Sequence, residues 1–359
     1  MRIWATVVLA VAGLVVATVP TASESPHAEA APATAGCAAP PPPDVSTAQG
    51  WIGYLAAHPD DYGLAITTAD GQDFGHNIGV RFPTASAIKL VHLAAYAQAV
   101  ARGDLHAEDT VSVDKWERWY FPLDGGAHRE SLRYLGIPEV NGVAVDQTRR
   151  VSYRQLVDVM IRFSDSAAPD VLRERFGDGA LLAIMRTYGL GDEAPGLLGL
   201  YLGLLDPAVH TAAQRDSAAH RYQHDPAYAA RMLSLAATAP PLTVATDSTI
   251  GATPGSLHAL MSAIARGTLG PGAAIARNVL EYQGVSPDGG TLGFKGGSLP
   301  GILTEVFEYR FADGRIAVGT LMVRGLSPDD AARNDFAHQR LLLGALTDPQ
   351  VTAALRCVV

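Results

Sequence analysis

The stretch Phe82-Pro83-Thr84-Ala85-Ser86-Ala87-Ile88-Lys89-Leu90 puts a hydroxyl and an amine three residues apart where a helix begins. From Ser86 to Arg102 the apolar residues Ile88, Leu90, Val91, Ala94, Ala95 and Ala99 fall at helical spacing, and Gly103 marks the stop. The Ser86 hydroxyl is therefore expected at the positive end of the helix, with Lys89 one turn on along the same face. A neutral lysine amine beside a serine hydroxyl is a nucleophile with its base. The same spacing also suits a capping serine followed by a solvated lysine.

Only 3 of the 27 Lys and Arg residues are lysines. Arginine can charge a surface but cannot replace an amine that must lose a proton. Besides Lys89 the lysines are Lys295, in Gly293-Phe294-Lys295-Gly296-Gly297-Ser298, and Lys115, in the polar run Asp114-Lys115-Trp116-Glu117. Three lysines must fall somewhere, so the bias alone decides nothing.

Upstream of Ser86, residues 51–58 read as a short apolar helix, Gly63 to Thr68 as a strand, and Asp70-Gly71 as a turn into a second strand. Residues 115–150 read as irregular, broken by Gly125-Gly126, Pro138 and Asn141-Gly142. Ser152 caps a helix through Leu156, Val159, Met160 and Phe163, and another helix covers 166–176. Residues 190–225 read as a long loop, of a length that is often functional. Thr253-Pro254 opens a helix through Ala265, and Gly272 to Tyr282 reads as a further one. Thr291 to Lys295, Leu303 to Phe311 and Ile316 to Arg324 read as strands, with Asp313-Gly314 as a hairpin turn, and residues 329–346 are helical. The pattern predicts an α/β (α+β) fold. Its antiparallel sheet is built from both chain ends, about 51–85 and 285–359, flanked by helices, with an all-helical insertion over about 86–284.

Two further motifs carry chemistry. Ser164-Asp165-Ser166 joins two helices, where a loop serine can pass a proton to a leaving nitrogen; helix capping at Ser164 or Asp165 is the plainer reading. Lys295-Gly296-Gly297 lies on a strand, where two glycines admit a substrate backbone and Lys295 adds positive potential for a carboxylate. A strand bulge with a surface lysine fits the same residues.

Together the three motifs resemble the serine β-lactamase and penicillin-binding protein superfamily, specifically the class A β-lactamase-like fold, which shows S-x-x-K, S-D-N and K-[TS]-G in this order. The segment around Ser86, the run Met160-Ile161-Arg162-Phe163-Ser164-Asp165-Ser166-Ala167-Ala168 and Ala252-Thr253-Pro254-Gly255-Ser256-Leu257 also look like family segments. The resemblance spans roughly residues 51–359. It implies Ser86 as the acylated nucleophile, Lys89 as its base, Ser164 as proton shuttle and Lys295 as holder of a substrate carboxylate. It implies an oxyanion hole of the Ser86 and Ser298 backbone N–H groups, substrate contacts at Ser166, Gly296 and Gly297, and a structural Asp165.

The sequence also departs from the pattern. Ser166 replaces the Asn of the second motif, and Gly296 replaces the hydroxyl residue of the third. The E-x-x-L-N segment that carries the deacylating base is missing from residues 185–250, where Glu193 is the one Glu. Glu193 is the first candidate to replace it, with Asp206, Asp216 and several histidines behind. Trp116, Trp119, Tyr120 and Phe121 are expected to line a substrate cleft or to pack as a lid over the core.

The 359 residues are 48% apolar and 18% charged, enough to bury a core. A net charge of −9 and a pI near 5.6, with no Lys/Arg run, exclude a phosphate-driven nucleic-acid binder. Arg2, the apolar run Ile3 to Val19 and small residues around Ala22 to Ala33 read as an export signal over about 1–30, with a membrane anchor as the alternative. Residues 31–50, with Pro40 to Pro43 in a row, read as an extended linker before a catalytic domain over 51–359. In an exported protein Cys37 and Cys357 suit a disulfide. Thr34-Ala35-Gly36-Cys37 only loosely resembles a lipidation site, and neither cysteine has metal-ligand spacing.

The expectation is a secreted or cell-envelope serine hydrolase, monomeric and without metal or organic cofactor. It would act on a small β-lactam, ester or peptide, with no nucleic-acid partner and no stable membrane insertion. A D-alanyl-D-alanine carboxypeptidase or transpeptidase, a ligand-binding pseudoenzyme and a biosynthetic esterase or amidase are the alternatives.

Overall fold

The computed structural model describes residues 37–238 and 249–359. The expected export segment lies outside them, and among the described residues no helix is long and apolar enough to cross a membrane. Folded structure begins earlier than the expected boundary at residue 51. Helix α1 (Ala48–Ala57) is capped by Thr47, whose Oγ1 accepts from Gly50 N at 3.0 Å. Ahead of it Val45 is buried, and its carbonyl accepts from Trp51 Nε1 at 2.8 Å. Pro41 and Pro42 lie directly on Gly53, where a Cβ would meet the Pro41 carbonyl at 2.0 Å. The proline-rich segment is thus held at both ends, by the contact of Pro41 and Pro42 with α1 and by the bond of Cys37 to Cys357, with Cα atoms 5.5 Å apart. That bond also leaves no free thiol for a lipid at Cys37.

Strands β1 (Tyr62–Thr67) and β2 (Asp73–His76) follow α1. The helical part includes α2 (Lys89–Arg102), α3 (Tyr153–Arg162), α4 (Ala168–Phe176), α5 (Leu197–Leu205), α6 (Ala212–His224), α7 (Pro226–Thr238) and α8 (Pro254–Arg266). Then come β3 (Thr291–Leu299), β4 (Ile302–Arg310), β5 (Ile316–Val323) and α9 (Ala337–Thr347). The five strands form one antiparallel sheet in the order β2-β1-β5-β4-β3, so both chain ends share it and β3 is an edge. Side chains alternate across the sheet. Leu64, Ile66, Phe307 and Leu321 pack with residues of α1 and α9 on one face, while Val306, Val318 and Met322 join the larger core around α2 on the other.

Helix α2 is buried on every side at Leu90, Val91, Leu93, Ala94 and Ala97, which makes it the axis of that core. Ser152 begins α3 with a capping box: its Oγ accepts from Gln155 N, and Gln155 Oε1 accepts from Ser152 N.

Three expectations are corrected. Residues 190–225 hold two helices, α5 and α6, rather than a loop. Helix α5 is apolar on all sides, so no polar–apolar period marks it. Its glycines allow close packing: a Cβ on Gly199 would stand 2.7 Å from the Arg215 carbonyl, and one on Gly203 would stand 2.5 Å from that of Val209. Residues 115–150 hold the helix Ala127–Tyr134 and a hairpin turned by Asn141 and Gly142, both at positive φ. The C-terminal helical stretch breaks at Asn334 to Phe336, where Phe336 adopts φ 52°.

Candidate active site

Ala85–Ile88 form one 3-10 turn that runs into α2, and Ala85 sits at φ 43°. A positive φ at a residue with a Cβ is strained and recurs where backbone geometry serves a site. The edge strand β3 packs against this turn. A Cβ on Gly297 would stand 2.5 Å from Ser86 N and 2.8 Å from Ala87 N, so only glycine lets the strand come so near.

Lys89 is fully buried, and its Nζ lies 2.9 Å from Ser86 Oγ, 2.6 Å from the Ser164 carbonyl, 3.1 Å from Ser164 Oγ and 3.1 Å from Ser166 Oγ. Four oxygens compete for three hydrogen-bonding positions on this nitrogen, whether it is an ammonium with three protons or an amine with two protons and a lone pair. Burial pulls the Lys89 pKa down to about 8, against the attraction of Asp165, Asp124 and Asp170. Lys295 Nζ donates to Ser164 Oγ at 3.0 Å and to the Gly296 carbonyl at 2.5 Å. Burial, and next the Lys89 charge, hold Lys295 well below the ordinary lysine range, against the pull of Glu305. Ser164 therefore stands between two buried amines, at φ 63°.

The loop that holds Ser164 is braced from behind. Asp165 Oδ1 accepts from Trp116 Nε1 at 3.0 Å, Ala167 N at 3.0 Å and Ala168 N at 2.7 Å. Its Oδ2 takes His128 Nδ1 at 2.7 Å, and His128 Nε2 lies 3.3 Å from Glu117 Oε1. Burial alone would push His128 toward neutrality, but Asp165 and Glu117 overcome it and raise its pKa to about 9. Asp165 moves the other way: burial raises it, His128 outweighs that, and it ends below the usual range. The pair is an imidazolium and a carboxylate, both buried. Asp124 completes the cluster by accepting from His128 N and Gly126 N.

The sequence profile of the beta-lactamase enzyme family matches residues 49–334. The chain belongs to this family. No curated protein sequence matches it. Among solved structures, a beta-lactamase from Sphaerobacter thermophilus shares the fold at TM-score 0.55 and 18% identity, over 85% of this chain and 100% of the other. A reconstructed class A beta-lactamase of the last common ancestor of Gram-negative bacteria aligns at TM-score 0.51 and 16% identity, over 88% and 97%. PBP-A aligns at TM-score 0.51 and 16% identity, over 86% and 94%.

In this beta-lactamase family member Ser86, Lys89, Ser164, Ser166 and Lys295 converge. Ser298 is exposed on β3, one residue beyond Gly297. Gly296 faces away from Lys295 along the strand, and a Cβ there would meet Glu305 Oε2 at 2.6 Å. Glu193 is not brought to the cluster as a free carboxylate: Arg215 Nη2 reaches its Oε1 at 2.6 Å and its Oε2 at 2.5 Å. Asp206 and Asp216 are paired with Arg231 and Arg173. Among the described residues no carboxylate lies within hydrogen-bond distance of Ser86, Lys89, Ser164 or Lys295.

Of the four aromatics, Trp116 and Phe121 are buried core, Tyr120 stacks on His128, and Trp119 borders a separate cavity of about 340 Å³ around Arg173. Lys115 is exposed. Residues that the sequence reading missed are His128, Glu117, Asp170 and Tyr201. Tyr201 OH lies 3.0 Å from Ser166 Oγ, and Asp170 caps α5 by accepting from Leu197 N and Leu198 N. The nearest sequence signal for the first two was the aromatic density around residue 120.

Proposed function

We propose that this chain is an exported serine hydrolase that forms an acyl-enzyme on Ser86 and acts on a β-lactam or a related amide or ester. One observation carries the reading: the Lys89 amine, dry and reduced in proton affinity, stands 2.9 Å from Ser86 Oγ. As Ser86 Oγ attacks the carbonyl, neutral Lys89 takes its proton. The proton then passes through Ser164, which touches both amines, to the leaving nitrogen or oxygen. The N–H groups of Ser86 and Ser298 would hold the oxyanion, and Lys295 would face the leaving-group side. Water finally cleaves the ester. The disulfide supports export, since such bonds persist in oxidising compartments.

A second reading is favoured by the engagement of Glu193 with Arg215. General-base help is typically worth ~100- to 10,000-fold in rate. With no carboxylate near the ester among the described residues, deacylation would slow and the protein would behave as a penicillin-binding or peptidase-type enzyme. Intact-mass spectrometry with a penicillin, beside Ser86→Ala, separates these. A transient adduct with released hydrolysed drug supports turnover, and a persistent adduct on Ser86 supports the second reading. An adduct equally present on Ser86→Ala, or no acylation of Ser86 by any β-lactam, ester or amide, would sink both.

A further inference from the structure

We infer that α5 is the acyl-side wall of the Ser86 cleft and that the site selects acyl donors whose acyl group is short, apolar and uncharged. This rests on the acyl-enzyme reading above. The cleft beside Ser86 is lined by Ala85, Leu197, Leu200, Tyr201, Leu204 and Leu299, together with Thr249. Positions 197, 200, 201 and 204 recur at helical spacing, so α5 turns one continuous apolar face to the nucleophile. The narrow space between these side chains is about 20 Å³.

The wall is fixed rather than hinged. Asp170 accepts from Leu197 N at 3.0 Å and Leu198 N at 2.8 Å, which anchors the first turn. On the opposite face Leu198 and Leu202 pack with Ala218, Ala219, Tyr228 and Met232. Gly199 and Gly203 press α5 against the Arg215 and Val209 backbones. The polar group on the cleft face, Tyr201 OH, is engaged with Ser166 Oγ.

The two ends of a substrate are told apart by the proton path. Ser164 lies on the Lys89 and Lys295 side of the nucleophile, so the departing group must leave there. The α5 side is left to the acyl group. None of the described residues that line it is charged. A carboxylate or ammonium carried there would lose its water with no charged partner among the described lining residues, whereas each methylene buried should strengthen binding about fourfold.

The test uses p-nitrophenyl esters, which share one leaving group and differ in the acyl group. From acetate to propionate kcat/KM should rise about fourfold, with little further gain at butyrate or octanoate because a cleft about one water in size is then full. The hydrogen succinate ester should fall at least about tenfold below butyrate, since its carboxylate meets no charged partner among the described lining residues. Leu204 is only partly buried, so a lysine there can keep its head in water. Leu204→Lys should therefore raise the succinate-to-butyrate ratio about tenfold, a gain that damage to the fold would not produce. Wild-type preference for succinate over butyrate, a tenfold further rise at octanoate, or an unchanged ratio in Leu204→Lys overturns the acyl-wall assignment alone. Ser86→Ala should give no burst of p-nitrophenol. Absence of any Ser86 acyl adduct in the wild type, followed by mass, overturns the acyl-enzyme reading and this inference with it.

Discussion

Replacing His128 by Gln should make stability depend on pH in a way that identifies the charge on this histidine. His128 is fully buried between Asp165 and Glu117, with Asp124 near, Trp116 edge-on and Tyr120 stacked on its ring. Its pKa stands at about 9 against an ordinary 6.5. At 1.36 kcal/mol per unit this corresponds to about 3 kcal/mol of folding stability. Because the folded value lies above the unfolded one, that stability is complete below pH 6.5 and is lost as pH rises through about 9. Glutamine can still donate to Asp165 but carries no titrating charge. The wild-type advantage over His128→Gln, measured by urea unfolding of the disulfide-intact proteins, should therefore shrink by about 3 kcal/mol between pH 6 and pH 10. Lys89, Asp170 and Glu308 also titrate within this window. They are present in both proteins, so their contributions largely cancel; Asp165, which loses its imidazolium in the variant and is pushed up by burial, opposes the shrinkage and makes about 3 kcal/mol its upper bound. A difference that is flat across the range, or that grows with pH, would refute the buried imidazolium.

Lys89→Arg should lower Ser86 acylation by ~100- to 10,000-fold, because a guanidinium cannot take the serine proton. In the wild type the acylation rate should climb with pH and level off above about 8, where Lys89 becomes neutral; a rate that falls from pH 6 to 8 contradicts the base assignment. Gly297→Ala would put a methyl 2.5 Å from Ser86 N and should slow acylation more than about tenfold in stopped-flow measurements. An unchanged rate would mean that β3 does not press on the nucleophile turn. Reduction of the Cys37–Cys357 bond, which closes a loop of 320 residues, should cost about 2–5 kcal/mol of stability. Alkylation that adds mass without reductant would show the thiols to be free.

What was legible in the sequence was what the backbone encodes locally. The step from Ser86 to Lys89 is one helical turn, and Gly103 adopts the left-handed stop at φ 79°. Asp70-Gly71 and Asp313-Gly314 turn their hairpins, and the alternation along β3, β4 and β5 gave the sheet. Helix α5 was not legible because a segment without polar residues has no period to read. The Thr211 to Gln214 capping box at the start of α6 was readable but was masked by the run before it. His128 was not legible for another reason. It meets Asp165 across 37 residues of chain, and no local pattern distinguishes a histidine buried between carboxylates from one in water.

Two of the three departures from the family pattern meet at α5, and the third lies on the other side of β3. Ser166, in place of an amide, is short enough to touch Lys89 Nζ at 3.1 Å and Tyr201 OH at 3.0 Å at once, and so ties α5 to the amine. The E-x-x-L-N segment is missing, and the same helix presents leucines beside Ser86. Gly296 leaves room for Glu305, whose Oε1 is held by His338 and Gln339 at 3.0 Å each while Oε2 points at the glycine. A threonine at 296 would collide with that carboxylate before its hydroxyl could serve a substrate. Each motif position that differs is thus matched by a neighbour shaped to the difference. Restoring one family residue at a time should disturb the site rather than return it to the common pattern.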